Sequence, residues 1–147
     1  MTTIAVVRKD GYVAIAADTM TKWGTGKETA EYVVNNHKTF KVLDSVVAIT
    51  GNTTFKAILA DYFARPKVVA RFDTVHNIFK TWQTMHAILK EEYFLNAGAG
   101  SDDPVESTRV DVLLANKHGI FGVAAHRTVQ EFSKYYAFGS GADYAMG

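Results

Sequence analysis

The residues with the clearest chemical meaning lie at the start of the chain, which reads MTTIAVVRKDGYVAIAAD. A hydroxyl group is a poor nucleophile near neutral pH and needs a base within hydrogen-bond reach. An N-terminal threonine carries its own base, because its free α-amino group has a pKa of about 7.7 to 8.0 and can accept the hydroxyl proton. Thr2 gains such a group only if Met1 is removed, which its small side chain permits. Otherwise Thr2 is an ordinary strand residue.

Asp18 and Lys38 are the residues that could support a nucleophile at position 2. An ammonium near a hydroxyl favours its ionised form, and a carboxylate beside that ammonium keeps it charged against the cost of leaving water. Asp18 ends the second predicted strand, and Lys38 begins a later one. Taken singly, Asp18 is typical of a turn and Lys38 of a solvated surface. Their joint placement with Thr2 favours the catalytic interpretation.

The composition predicts one globular domain over residues 1–147, since 48% of the residues are hydrophobic and can form a core. The net charge of +1 argues against nucleic acid or a membrane surface as a partner. The chain lacks cysteine, and its five histidines lack the HExxH spacing of a zinc site, so we expect no bound metal. Neither a secretory signal nor eighteen consecutive apolar residues are found, which favours a cytoplasmic location.

Hydrophobic periodicity predicts an α+β domain in which strands precede and follow a pair of helices. The Asp10-Gly11 pair predicts a tight hairpin turn between the first two strands. A polar loop is predicted at 19–30 and another at 96–107. The predicted strands cover residues 2–7, 12–18, 31–36, 38–42, 45–50, 109–116, 119–126 and 128–138.

Three helices are predicted. The first is capped by Asn52 or Thr53 and ends at Arg65-Pro66. Asp73 is predicted to cap the second, and a third begins at the glycines of 139–141. One face of the second helix carries a stripe that is typical of a core, comprising Val75, Ile78, Phe79, Trp82, Met85, Leu89 and Tyr93.

Four stretches resemble the proteasome β-type N-terminal nucleophile (Ntn) hydrolases, in particular the HslV peptidase. They are TTIAVVRKDGYVAIAADTMTKWG, HKTF, VAITGNTTFKAILADYF and YYAFGSGADYAMG, and they cover the whole chain in order. Within the family, the chain most resembles the shorter bacterial form called the betaproteobacterial proteasome homologue. The resemblance implies a four-layer αββα sandwich, of which the C-terminal helix and strand part is expected to be missing.

The resemblance also implies a role for each matching residue. Thr2 would be the nucleophile with its own amine as base, Lys38 the cation beside its hydroxyl, and Asp18 the carboxylate paired with Lys38. Ser140, in the GSG turn, would lie near the Thr2 amine and assist proton transfer.

The family's oxyanion hole uses a backbone N–H just before the first helix. Alignment puts Ala48 at that position, and Gly51, three residues later, is the alternative donor. Substrate is expected to lie extended between the segment 48–51 and the loop 20–23, where Lys22 would border its backbone.

The implied activity is endopeptidase cleavage through a threonyl ester, without a metal or organic cofactor. The implied assembly is stacked homo-oligomeric rings of six or seven subunits that receive peptides or unfolded proteins, with an AAA+ ATPase unfoldase as a partner. Two alternatives remain: a catalytically silent ring subunit that serves as scaffold, and an Ntn amidase that acts on a small molecule. A scaffold has no need of the four catalytic candidates together, and the order of motifs along the whole chain favours the peptidase.

Overall fold

The computed structural model describes residues 2–98 and 102–147, and within them the chain forms ten strands and three helices. Residues 99–101 of the predicted loop 96–107 lie outside the described residues. The strands are β1 (Ile4–Lys9), β2 (Tyr12–Ala17), β3 (Thr21–Trp23), β4 (Gly26–Glu28), β5 (Thr39–Val42), β6 (Ser45–Gly51), β7 (Val110–Asn116), β8 (Gly119–Val123), β9 (Val129–Phe132) and β10 (Tyr135–Phe138). The helices are α1 (Thr54–Phe63), α2 (Val75–Glu92) and α3 (Ala142–Met146).

Two antiparallel sheets stack face to face. One has the strand order β5-β6-β7-β8-β9 and the other the order β10-β1-β2, while β3 and β4 form a separate hairpin. Because side chains alternate along a strand, Ile4 and Val6 of β1 face the larger sheet, whereas Val7 faces away and is 42% exposed. The buried residues between the sheets are Ile4, Val6, Ala48, Leu113, Ala115 and Ile120.

Helices α1 and α2 cover the other face of the larger sheet. The stripe predicted for α2 supplies much of this second core, with Ile78, Trp82, Met85 and Leu89 almost completely buried. Helix α3 packs against β10 and β1 on the far side of the smaller sheet. The layers therefore follow the order helix, sheet, sheet, helix, and the predicted αββα fold class is confirmed. None of the helices formed by the described residues is long and apolar enough to cross a membrane.

The hairpin of β1 and β2 has the predicted turn. Asp10 and Gly11 both have positive φ angles, 51° and 80°, as a two-residue turn of this kind requires. The register places Ile4 opposite Ala17, and the N–H of Asp18 donates to the carbonyl of Thr3 at 3.1 Å. The turn thereby fixes the start of the chain beside Asp18.

The strand predicted at 31–36 is wrong, because this segment forms turns. The N–H groups of Tyr32 and Val33 both donate to the carbonyl of Thr29 at 3.1 Å, and the Asn36 side chain donates to the carbonyl of Val33 at 2.7 Å. Such local hydrogen bonds compete with pairing in a sheet. The apolar residues that suggested a strand are exposed instead, Tyr32 by 79% and Val34 by 93%.

Three other local predictions are corrected by the structure. The loop predicted at 19–30 contains the hairpin of β3 and β4. The strand predicted at 128–138 divides into β9 and β10, which join different sheets, and between them the carbonyl of Lys134 accepts from the N–H of Arg8 at 2.7 Å. Helix α2 is capped by Thr74 rather than Asp73, because the Thr74 hydroxyl accepts from the N–H of Asn77 at 3.1 Å.

A buried polar cluster fixes the segment that leads into β7. His86 is only 6% exposed. Its Nδ1 lies 3.1 Å from the hydroxyl oxygen of Thr108, and its Nε2 lies 2.9 Å from a carboxylate oxygen of Glu106. Arg127 donates to the carbonyl of Glu106 at 2.8 Å and to the Thr108 hydroxyl at 3.3 Å. These contacts join α2, the β8–β9 turn and the chain before β7.

Acidification below about pH 6.5 is expected to destabilise the fold through His86. Burial is the main cause that holds the pKa of His86 below its ordinary value; the charges of Arg127 and Lys90 act in the same direction, and Glu106 opposes them. The folded chain therefore binds fewer protons than the unfolded chain in this range, so the free energy of unfolding falls as the pH falls.

His86→Gln is expected to flatten this part of the pH profile, measured as thermal unfolding from about pH 5 to pH 8 at one protein concentration. The exposed His76, on the same helix, provides the matched control, since His76→Gln should leave the slope unchanged. An unaltered slope in His86→Gln would assign the pH dependence to other groups.

Candidate active site

The carboxylate of Asp18 is held at the end of β2 by the backbone around it. Its Oδ2 accepts from the N–H of Thr3 at 2.6 Å, and its Oδ1 accepts from the N–H of Met20 at 3.2 Å. The first of these bonds joins the two strands of the hairpin at their open end. Asp18 therefore contacts Thr3, the residue next to Thr2, although 15 positions separate Asp18 from Thr3 in sequence.

Lys38 lies just before β5, and its ammonium contacts both candidates. Its Nζ donates to Thr2 Oγ1 at 3.1 Å, to the carbonyl of Met20 at 2.6 Å and to Asp18 Oδ1, with which it forms an ion pair. Lys38 is only 8% exposed, and these hydrogen bonds hold its buried ammonium in this position. A cation at this distance favours the ionised form of the Thr2 hydroxyl.

Ser140 reaches Thr2 from the opposite end of the chain. Its hydroxyl accepts from the N–H of Thr2 at 3.2 Å, and its Oγ lies 3.4 Å from the carbonyl oxygen of Thr2. The turn comes so close to the chain start that both residues flanking Ser140 must be glycine. A Cβ at Gly139 would lie 2.1 Å from the Thr2 carbonyl oxygen, and one at Gly141 would lie 2.0 Å from Oγ1 of Thr3. The GSG sequence therefore lets the turn close over the chain start.

Two cavities meet at Thr2. The larger, of about 460 Å³, extends towards α1, where Ile49, Ala57 and Ala60 line it. The smaller, of about 200 Å³, extends towards β3 and is bordered by Met20, Lys22 and Trp23. The residues that border both cavities are Thr2, Thr21, Lys38, Gly51, Asn52 and Thr53.

Of the two predicted backbone donors, the structure brings only Gly51 to these cavities. Gly51 ends β6 with a φ of 112°, and a Cβ there would lie 3.1 Å from the carbonyl oxygen of Arg109. Ala48 is completely buried between the two sheets and, among the described residues, is not part of either cavity lining. Ala48 lies three positions before the end of β6, so the structure favours Gly51 of the two predicted donors.

The carbonyl of Met20 is a functional group that the sequence does not predict. It accepts the third hydrogen bond of the Lys38 ammonium, and a backbone atom leaves no signal in the residue type. Most residues of the larger cavity were also not predicted; the exceptions are Thr2, Lys38 and those of the segments 20–23 and 48–51. Their positions depend on how the turns at 31–36 pack beside α1.

The chain was compared with protein-family models and with curated proteins, and neither comparison gave a match. Among solved structures it is similar to Thiobacillus denitrificans BPH, with 60% identity, a TM-score of 0.92 and coverage of 99% of this chain and 75% of that one. The structure of T. denitrificans BPH in complex with epoxomicin gives 59% identity, a TM-score of 0.91 and the same coverage.

The chain also shares its fold with eukaryotic HslV from Trypanosoma brucei, at 14% identity and a TM-score of 0.62 over 98% of this chain and 75% of that one. The two-sheet fold and these neighbours define the HslV-like, proteasome β-type class, as predicted from the sequence. The identity of 60% over nearly the whole chain is more specific. The chain belongs to the BPH family, the bacterial proteasome homologues.

Proposed function

We propose that the chain is a threonine-type endopeptidase whose nucleophile is Thr2, exposed by removal of Met1. The observation that carries this proposal is the 3.1 Å contact between the Lys38 ammonium and the Thr2 hydroxyl, at the point where the two cavities meet. Membership of a proteasome-type family and the epoxomicin complex of T. denitrificans BPH support the assignment to proteases. Met1 itself lies outside the described residues.

Removal of Met1 would convert the Thr2 N–H into a free α-amine that can act as the base. This amine takes the proton from Oγ1, which attacks the carbonyl carbon of the substrate while the Lys38 ammonium stabilises the negative charge on oxygen. The peptide C–N bond then breaks, and the leaving amine receives the proton from the Thr2 ammonium. Water attacks the resulting ester, again through the Thr2 amine, and releases the second product.

Ser140 and Asp18 hold this arrangement in place. The Ser140 hydroxyl, at hydrogen-bond distance from the Thr2 nitrogen, orients the amine towards Oγ1 and can relay its proton. Asp18 fixes the position of the buried Lys38 ammonium through the ion pair. Neither residue needs to touch the substrate for this role.

We assign the oxyanion donor to the N–H of Gly51, which borders both cavities next to Thr2. A backbone N–H aimed at the developing negative charge contributes typically about 2.7 to 4 kcal/mol to transition-state stabilisation. The substrate would lie extended between Gly51 and the loop 20–23, where the backbone of Lys22 is available for strand-like pairing. Such pairing reads little side-chain identity, which suits peptides and unfolded proteins as substrates.

The same proposal includes assembly into stacked rings of six or seven copies, in the cytoplasm, with an AAA+ ATPase that delivers unfolded chains. Large apolar side chains at the surface are candidates for this interface, since contiguous exposed apolar patches mark protein–protein contacts. The most exposed of these apolar side chains are Tyr12, Tyr32, Val34, Phe94 and Tyr144. Single-particle images would count the copies in each ring.

The test is covalent labelling of the purified chain, followed by intact mass spectrometry. We expect loss of one methionine, a mass increase of one probe per chain with an epoxyketone or β-lactone, and cleavage of fluorogenic peptides that the probe blocks. A chain that loses Met1 but neither labels nor cleaves peptides would be a scaffold subunit. A chain that labels but cleaves only small amides would be the Ntn amidase.

A further inference from the structure

The smaller cavity beside Thr2 has a distinctive wall. It runs from Thr2 along β3, and Trp23, the last residue of that strand, forms its outer part. The Trp23 side chain is 56% exposed, on a hairpin that pairs with neither of the two larger sheets. An indole that borders a cavity and is half open to solvent offers apolar surface to whatever enters that cavity.

Cleavage of a peptide bond at Thr2 gives an acyl group and a leaving amine, and the two cavities that could hold them differ in volume. The acyl side stays attached until water attacks, so it needs a stable site, and the larger cavity supplies one with buried Ile49 and with Ala57 and Ala60 of α1. The amine side must depart before water can attack. We assign the smaller cavity, of about 200 Å³, to this departing group.

We propose that Trp23 determines specificity on the leaving-group side, giving the smaller cavity a preference for an aromatic or large apolar side chain on the residue that supplies the leaving amine. This inference rests on the proposed function, because it needs an acyl-enzyme at Thr2. Stacking or edge contact with the indole adds to apolar burial. We expect a preference of about 3- to 10-fold over glycine, the size that one aromatic contact produces.

The reverse of amine departure tests this site directly. An amino-acid amide that binds in the smaller cavity can attack the threonyl ester in place of water. The amine nitrogen forms a new C–N bond to the acyl carbon, the C–Oγ1 bond breaks, and the proton lost by the amine returns to Oγ1 through the Thr2 amine. Discrimination between acceptors therefore reports the side chain that the cavity prefers.

The experiment uses the chain without Met1, one peptide substrate and equal concentrations of the amides of phenylalanine, leucine, alanine and glycine. Mass spectrometry measures the ratio of aminolysis to hydrolysis products. We expect the phenylalanine amide to exceed the glycine amide by about 3- to 10-fold, Trp23→Ala to bring them within about 2-fold, and Trp23→Phe to retain most of the preference. Phe79→Ala is the matched control, since Phe79 is an aromatic residue of α2 that is 41% exposed and outside the lining of the smaller cavity.

Equal ratios for all acceptors, with acyl-enzyme present, would overturn the inference while leaving the peptidase intact. So would a Trp23→Ala variant that changes the preference only for the acyl side of the substrate. If no acyl-enzyme forms in the unsubstituted chain, the proposed function itself fails, and the inference fails with it. Trp23→Phe keeps the test valid if Trp23→Ala disturbs the hairpin.

Discussion

Replacing Thr2 with alanine is expected to abolish covalent labelling and to lower peptide hydrolysis by about 10⁴-fold or more, because no other group takes over from a missing nucleophile. Alanine is also small, so removal of Met1 should proceed as before and the free amine should still form. The variant therefore separates the hydroxyl from the amine. Intact mass spectrometry measures labelling, and a fluorogenic peptide measures the remaining rate.

Two further substitutions serve as controls for Thr2→Ala. Thr2→Ser keeps a hydroxyl and is expected to label, whereas Thr3→Ala should label at Thr2 as before, because Oγ1 of Thr3 packs at Gly141 rather than at Lys38. Labelling that persists in Thr2→Ala, or that disappears in Thr3→Ala alone, would move the nucleophile to another residue. Fragment masses identify the labelled residue directly.

Lys38→Ala is expected to lower the rate of acylation by about 10²- to 10⁴-fold, the range for loss of a group that assists proton transfer. The ammonium lies 3.1 Å from Oγ1 and is the charge that favours an ionised hydroxyl. Lys38→Arg should not restore the rate, because the acceptors that Thr2, Asp18 and Met20 place around Nζ match a compact ammonium and not a planar guanidinium. Pre-steady-state labelling measures this rate.

The ion pair between Lys38 and Asp18 predicts how substitutions of the two residues combine. We expect Asp18 to affect the chemistry through Lys38, and Asp18→Asn keeps a side-chain oxygen that can accept from the N–H of Thr3. Lys38→Ala combined with Asp18→Asn should therefore be little slower than Lys38→Ala alone. Lys41→Ala is the control, since Lys41 is an exposed lysine of the adjoining strand β5. If the two substitutions multiply, Asp18 has a separate role in the reaction. If Lys38→Ala acylates at the normal rate, the ammonium has no part in the chemistry.

The hairpin of β1 and β2 could be predicted from the sequence because its cause is local. Asp10-Gly11 can adopt the two positive φ angles of a tight turn, and apolar strands flank it. The failure at 31–36 is also local, since one asparagine side chain and two N–H groups closed turns that apolar content alone does not reveal. The helical period likewise predicted the core positions Ile78, Trp82, Met85 and Leu89 of α2. Two other members of the predicted stripe, Val75 and Phe79, are instead 39% and 41% exposed.

By itself, the sequence determined the family resemblance, the αββα fold class and the set Thr2, Asp18, Lys38 and Ser140. Only the tertiary structure decided that these residues meet: 138 positions separate Thr2 from Ser140, and the pairing of β1 with β10 brings them together. Stacking of the two sheets brings Lys38 to Thr2. The tertiary structure also favoured Gly51 over Ala48, since both lie on β6 but Gly51 borders both cavities whereas Ala48 is buried between the sheets. Residue types reveal what chemistry is available, whereas the register and crossing of strands determine which atoms can reach one another.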